Sequence, residues 1–315
     1  MEADEIELAV PAELAAELDR EAPGGEGPPA ERRVDPRNRL NALTGEEWLY
    51  FTKSVLRTAY PSVYRHDLRR RHGANKPPQL MALLTEFFTR PDERVLDPFA
   101  GVGGTLIGAA VARPAPRRAV GIEISDEWAA IYREVVAGHP ELAGPEMVVG
   151  DCRAVMDGWL ADGSGQPFDF IATDPPYNIH LRQTMSGAAG AVYAGRHANR
   201  RSDYDMRSDA EADLANLPDF DAYLAAMEDV FARCLALLRP RRYMVLIVRN
   251  AYQDGEYRFT HAELARVAKG VGFVPKGEIV WYQAGSRLRP YGYPYDYVPN
   301  ISHQFILVLQ RPAAP

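Results

Sequence analysis

The sequence predicts an α/β fold: a doubly wound, seven-stranded sheet, mostly parallel, with an antiparallel hairpin at one edge. Two observations carry this reading. Short apolar runs alternate with stretches of helical period, the pattern of strand–helix–strand units. Several of those runs end in an acid followed by glycine or proline, where a parallel sheet offers its carboxyl ends to a ligand.

Order is expected from about Leu40. In "LNALTGEEWLYFTKSVL" the residues Leu43, Trp48, Phe51 and Val55 recur at helical spacing, with Thr44 as N-cap. "RVLDPF" (94–99) reads as the first strand, "TLIGAAVA" as a helix, "RAVGIEIS" (118–125) as the second strand and "DEWAAIYREVVAG" as its helix, with Asp126 as the expected cap. "EMVVGD" (146–151) and "FDFIATD" (168–174) supply strands three and four. A helix over "DFDAYLAAMEDVFARCLALL" precedes the last three strands, "YMVLIVRN" (243–250), "KGEIVWYQ" (276–283) and "HQFILVLQ" (303–310). The last two are joined without an obvious helix, so they are expected to pair antiparallel. Residues 1–38 read as a disordered acidic tail and 39–315 as one folded domain, with a helical arm over 40–90 and an insertion over 178–216.

Composition narrows the class. Apolar content of 46% and charged content of 25% are those of a globular chain with ample surface to bury. No run approaches the roughly 18 apolar residues of a membrane span, so a membrane partner is not expected. Only Cys152 and Cys234 are present, which gives neither a disulfide framework nor a zinc spacing. No metal is expected, and a reducing, cytoplasmic setting is. The net charge of −7 is concentrated: residues 1–36 hold 11 acids and 3 bases, leaving 32 acids and 33 bases in the rest. A near-neutral body neither demands nor excludes nucleic acid.

The chemistry lies at the strand tips. In "VLDPFAGVGGTLIGAA", Asp97 ends a strand and Gly101, Gly103 and Gly104 lead into a helix, whose first amides are open donors. Taken alone, this pattern is shared with ordinary tight turns. Glu123 ends the next strand, where a carboxylate accepts both hydroxyls of a ribose, and Asp151-Cys152 ends the third, within reach of an adenine amino group. Three acids beside a glycine turn describe an adenosine-shaped pocket. The Walker lysine motif is absent, which argues against triphosphate hydrolysis.

The fourth strand ends in Asp174-Pro175-Pro176-Tyr177. The Asp174 carboxylate accepts from an exocyclic amino group, the Pro175 carbonyl offers a second acceptor on a stiffened turn, and Tyr177 presents a ring on which a base stacks. Two acceptors on one NH2 orient its lone pair for attack on a methyl group.

These residues resemble the S-adenosylmethionine-dependent amino methyltransferases of DNA, the adenine-N6 and cytosine-N4 enzymes. "DPFAGVGGT" looks like their cofactor motif and "DPPY" like their catalytic motif. "RHGANKPPQLMALLTEFF" is similar to the segment that helps hold the methionine end, with Lys76 and Pro77 at its core. The resemblance covers roughly residues 70–310 and implies a class I methyltransferase, Rossmann-like fold. It assigns S-adenosylmethionine to Lys76, Asp97, Pro98, Phe99, Gly101, Gly103, Thr105, Glu123, Asp151 and Cys152. It assigns a flipped base to Asp174, Pro175, Pro176 and Tyr177. "GVGGT" departs from the usual "GSGTT" by shifting the threonine one residue, which leaves Thr105 without a matched role. No sequence-reading domain is visible.

DNA is therefore the expected partner, adenine-N6 ahead of cytosine-N4. A cognate nuclease, a defence-complex subunit and a second copy of the chain are further candidate partners. Three segments are candidates for DNA contact: 40–72, overlapped at its end by the run "YRHDLRRRHGANK" (64–76), the insertion 178–216, and "GSRLRPYGYPYDYVPN" (285–300) with four tyrosines. Each also has a plain reading as a solvated face, a loop or a cap on a sheet edge. The alternatives are a tRNA guanine-N2 methyltransferase, which carries a similar tetrapeptide but usually an added RNA-binding domain, and a non-catalytic subunit of a modification or defence complex. Protein glutamine methyltransferases rank lower, because they favour Asn at the position of Asp174.

Overall fold

The structure is a computed structural model and describes residues 33–163, 167–176, 210, 212–253, 255–283 and 288–313. Contacts within the chain separate Met1–Val34 from Asp35–Pro315, and every element named here belongs to the second unit. The expected tail and most of the insertion lie outside the described residues.

The helices are α1 (Gly45–Phe51), α2 (His66–Arg69), α3 (Pro78–Phe88), α4 (Gly104–Val111), α5 (Asp126–Ala137), α6 (Cys152–Asp162), α7 (Phe220–Leu237) and α8 (Thr260–Val271). The strands are β1 (Val55–Arg57), β2 (Arg94–Asp97), β3 (Arg118–Glu123), β4 (Glu146–Val149), β5 (Phe168–Thr173), β6 (Leu238–Val248), β7 (Ala251–Gln253), β8 (Glu256–Arg258), β9 (Val274–Tyr282) and β10 (His303–Gln310). One eight-stranded sheet runs β1-β9-β10-β6-β5-β2-β3-β4, and β7-β8 form a separate ribbon.

The five strands from β4 to β6 are mutually parallel, while β10 is antiparallel to both β6 and β9. This is the class I methyltransferase fold. The count of seven becomes eight because Val55–Arg57 pairs parallel with Val280–Tyr282 at the edge. Val55 therefore belongs to a strand, not to the helix expected of it. Three residues carry no legible period, and only the exposed edge of β9 tells that segment what to be.

Strand alternation sends side chains to two cores. Ile171 on β5 and Met244, Leu246 and Val248 on β6 face α7 and α8, joined by Phe168, which lies beyond the register shift that interrupts the alternation before Phe170. Phe170 and Ala172, with Val245 and Ile247, face α3 and α4. All six residues of β5 are buried, as its nearly unbroken apolar run required. The one acid within it, Asp169, is compensated: it accepts from the Arg94 amide at 3.0 Å and pairs with Arg239 at 3.2 Å and Arg242 at 3.5 Å.

Two contacts position the site. Helix α3 lies so close to α4 that a Cβ at Gly108 would stand 2.6 Å from that of Met81 and 2.7 Å from the Ala82 nitrogen. This brings the 70–88 segment beside the glycine turn. The arm packs onto α3 in turn, with Phe51 stacked on Phe87 at 3.7 Å and the Asn41 side chain donating to the Phe87 carbonyl at 2.6 Å. Thr44 caps α1 with a full capping box, Glu47 returning the bond to the Thr44 amide at 2.7 Å. Helix α5 is capped by Ser125, which leaves Asp126 as the first helical residue.

Candidate active site

Parallel strands β2, β3, β4 and β5 deliver their carboxyl ends to one cavity. Its wall includes His72, Pro98, Phe99, Gly101, Glu123, Gly150, Asp151, Cys152, Asp174, Pro176 and Asp213. Eight of the residues singled out from the sequence thus meet at one surface: Pro98, Phe99, Gly101, Glu123, Asp151, Cys152, Asp174 and Pro176.

Asp97 lies beneath that wall, 3% exposed, and accepts three hydrogen bonds: from Thr105 Oγ1 at 2.5 Å, Thr173 Oγ1 at 2.6 Å and the Phe99 amide at 3.0 Å. Burial pushes its pKa up to about 6 against the pull of those donors. Thr105 thereby acquires a role despite its shifted place in the motif. It ties the first turn of α4 to the tip of β2.

Glu123 spans the turn from the neighbouring strand. Its Oε2 accepts from the Gly101 amide at 2.8 Å and its Oε1 from the Ser125 amide at 2.9 Å. Burial raises its pKa to about 7. Gly101 takes φ +51°, and a Cβ there would sit 3.3 Å from the ring of His72. Gly103 takes φ +79°, and a Cβ would run into the Tyr132 ring at 2.1 Å. It serves the packing of α5 on the turn and is not among the wall residues.

Asp151 caps α6 by accepting from the Arg153 amide at 2.9 Å, and its carboxylate is also gripped by the Arg153 guanidinium. Cys152 beside it is a buried thiol whose pKa burial pushes up to about 12, so it is not a nucleophile.

At the end of β5, Asp174 is paired with the ammonium of Lys76, which comes from the segment before α3. Pro175 is buried behind it and Pro176 faces the cavity. Tyr177 lies outside the described residues, as do 178–209. Beneath Asp174, the Tyr223 hydroxyl of α7 is fully buried without a hydrogen-bond partner among the described residues. Burial and the negative charge of Asp174 push its ionisation far up, so it stays a neutral donor.

Sequence reasoning gave no site role to His72 or Tyr223 and read Ala212–Leu214 only as part of the insertion 178–216. His72 lies four residues before Lys76, within a run whose arginines hide it in the sequence. It is held neutral, its pKa lowered to about 4 by burial and by the Lys76 and Arg69 charges. Of the rest of that run, Arg69 is taken into the fold, while Arg65 and Arg71 form ion pairs at the surface. Arg69 is 1% exposed and donates to the Lys76 carbonyl at 2.9 Å, Arg71 pairs with Glu127 at 2.8 Å, and Arg65 pairs with Asp67 and, at 3.8 Å, with Glu134. Of these arginines, Arg69 is therefore not available to a phosphate. Among the described residues no group of acids, histidines and cysteines has the makings of a metal site, and no helix is long and apolar enough to cross a membrane.

The class defined by this fold is that of the class I methyltransferases. The family model for DNA methylases of the N6/N4 type matches residues 31–134 and 168–315, and the chain belongs to that family. The chain is 37% identical over 65 residues to YubD of Escherichia coli (strain K12), whose description as a methylase is provisional. That match takes in 21% of this chain and 27% of YubD. Among solved structures, TrmN from Thermus thermophilus aligns with a TM-score of 0.44 at 18% identity, covering 74% of this chain and 48% of its own. A methyltransferase from Pyrococcus furiosus aligns with a TM-score of 0.43 at 12% identity, covering 75% and 83%. The chain thus spans about a quarter of the length of YubD and about half that of TrmN.

Proposed function

We propose that the protein transfers a methyl group from S-adenosylmethionine to the exocyclic amino group of a base extruded from DNA, adenine-N6 in preference to cytosine-N4. The observation that carries this reading is the junction of two half-sites. The Asp174 turn at the end of β5 opens onto the same cavity as Glu123, Gly101 and Asp151 at the ends of its neighbours.

The residues present fit the cofactor. Glu123 is an acid held at the cavity wall with its pKa near 7, ready to accept from hydroxyl donors. Gly101 leaves room that a side chain would take. Glu123 would hold the ribose, Asp151 the adenine amino group, and the glycine turn with Lys76 the methionine end. Bound there, S-adenosylmethionine supplies an electrophilic methyl group.

Asp174 and the Pro175 carbonyl accept the two hydrogens of the target amino group, turning its lone pair toward the donor. One hydrogen leaves as a proton after transfer, and Asp174 is the acceptor nearest to it. Tyr177 supplies the stacking face, and the base must leave the helix to reach it.

The outer rim supports a nucleic-acid substrate. The loop between β9 and β10 starts and ends at the carboxyl edge, where His303 pairs with Tyr282. It carries Tyr291, Tyr293, Tyr295 and Tyr297 outward, the last two 90% and 86% exposed. The turn is held by bonds from the Tyr295 and Asp296 amides to the Gly292 carbonyl and by a two-way pairing of Arg289 with Asn300 at 2.8 Å. Preset, exposed rings beside arginine are suited to unstacked bases.

The test is transfer of isotopically labelled methyl to duplex DNA and to tRNA, followed by nucleoside mass spectrometry. Labelled N6-methyldeoxyadenosine is expected. Label confined to tRNA guanosine would replace the DNA reading with the RNA one.

A further inference from the structure

The ion pair between Lys76 and Asp174 joins a residue of the expected cofactor segment to the expected catalytic acid, 98 positions apart in sequence. Both side chains are nearly enclosed, 9% and 14% exposed. The lysine backbone has little freedom to withdraw. Its carbonyl is bound by the buried Arg69 guanidinium at 2.9 Å, and Gly104 passes so near that a Cβ there would stand 2.8 Å from the same oxygen. The ammonium is therefore fixed between the first turn of α4 and the tip of β5, and only its flexible stem can redirect it.

An ammonium seated on Asp174 occupies an acceptor oxygen that the target amino group needs. It also drains negative charge from the carboxylate. Yet a nearly buried ammonium cannot simply be left without an anion, because the uncompensated charge is costly. A second anion close by would resolve the conflict. Bound at the glycine turn, the cofactor would bring one, the carboxylate of its methionine end.

We propose that Lys76 is a positioning residue shared between two anions, Asp174 before cofactor binding and the cofactor carboxylate after it. Cofactor binding then releases the acid for the base. This rests on the reading of the cavity as an S-adenosylmethionine site. The two ligands are thereby coupled, and the coupling is reciprocal: each favours the other through one lysine. Cofactor binds first, and an extruded base finds a competent acceptor only afterwards. The rival arrangement is a permanent Lys76–Asp174 pair, with the cofactor carboxylate held elsewhere.

The experiment needs no nucleic acid. S-Adenosylhomocysteine and its analogue lacking the carboxylate are titrated calorimetrically into the full-length wild type, Asp174→Asn and Lys76→Met. The ratio of the two affinities isolates the carboxylate and cancels any general effect of charge on the nucleoside. Removing the competing anion in Asp174→Asn should raise that ratio about fivefold or more. Lys76→Met should bring it toward unity. If Lys76→Met does not fold, as judged by its circular dichroism, the Asp174→Asn comparison decides alone. A ratio unmoved by Asp174→Asn, or undiminished in folded Lys76→Met, overturns the shared lysine. Such a result leaves the cofactor site standing, because both compounds still bind. A wild type that binds neither compound removes the cofactor reading, and this inference with it.

Discussion

Glu123 is the residue whose chemistry is most exposed to measurement. Its folded pKa of about 7 lies above its ordinary value of 4.5 because burial disfavours the charge. The sign follows from linkage. Stability contributed at this site is complete below about 4.5 and is lost as pH rises through about 7. Ribose hydroxyls donate more strongly to a carboxylate than to a neutral acid, so binding favours the ionised form. Affinity for S-adenosylhomocysteine should therefore rise with pH through about 7 and level off above it. Asp97, with a pKa of about 6, sits below the wall with all its donors internal, and should add little to that profile. Calorimetry across this range on wild type and Glu123→Gln separates them. The variant should bind more weakly and with a flattened profile. An unchanged profile in Glu123→Gln would assign the titration to another group.

Among the elements, the aromatic turn between β9 and β10 makes the plainest claim. Its tyrosines are displayed, not buried, and the backbone that displays them is closed on itself by hydrogen bonds. If they meet unstacked bases, Tyr295→Ala and Tyr297→Ala should each weaken DNA binding by roughly 1 to 3 kcal/mol, the range for one stacked base. Phenylalanine in either place should be far milder. Fluorescence anisotropy with a labelled duplex measures this, and wild-type affinity in the double alanine variant would leave the turn without a role in substrate binding. The 64–76 stretch makes the opposite prediction. Because Arg69 is buried, its substitution should cost stability before it costs DNA affinity, whereas Arg65 and Arg71 form ion pairs at the surface and their substitution should cost little stability. The difference between these two segments was not legible in the sequence, where both read as basic with aromatics. The burial of Arg69 and the display of the tyrosines are tertiary properties.

Elsewhere the sequence spoke more clearly, for physical reasons. The β5 run and the glycine turn were legible because a buried strand and a positive-φ turn each demand particular residues locally. Asp97, Glu123 and Asp174 could be placed at strand tips because a parallel sheet leaves few other positions for an acid after an apolar run. Strand β1 was missed because three residues show no periodicity. Helix α8 was passed over although Leu264, Ala268 and Val271 recur at helical spacing. The Lys76–Asp174 pair could not be read at all, since nothing local links positions so far apart. Nor did a basic label on His72 foretell a neutral ring on the cavity wall.

For the whole molecule, charge is divided between an acidic N-terminal segment and a nearly neutral remainder. Residues 1–36 carry a net −8 from 11 acids and 3 bases. An acidic segment repels phosphate. Its deletion should leave methyl transfer intact and, at low ionic strength, faster. Steady-state transfer by the truncated chain checks this. A folded but inactive truncation would give the segment a part in catalysis.

If Asp174 orients a target amino group in a cavity whose other wall holds the methyl donor, its loss should fall on the chemical step and spare the cofactor. Single-turnover methylation of duplex DNA by wild type and Asp174→Ala, with S-adenosylhomocysteine affinity measured on the same preparations, tests it most directly. Loss of one preorganised acceptor at a reacting group costs about 2.7 to 4 kcal/mol, roughly a hundred- to thousand-fold in rate. That loss is expected in Asp174→Ala, with cofactor affinity not weakened. An Asp174→Ala protein that methylates at the wild-type rate would contradict it.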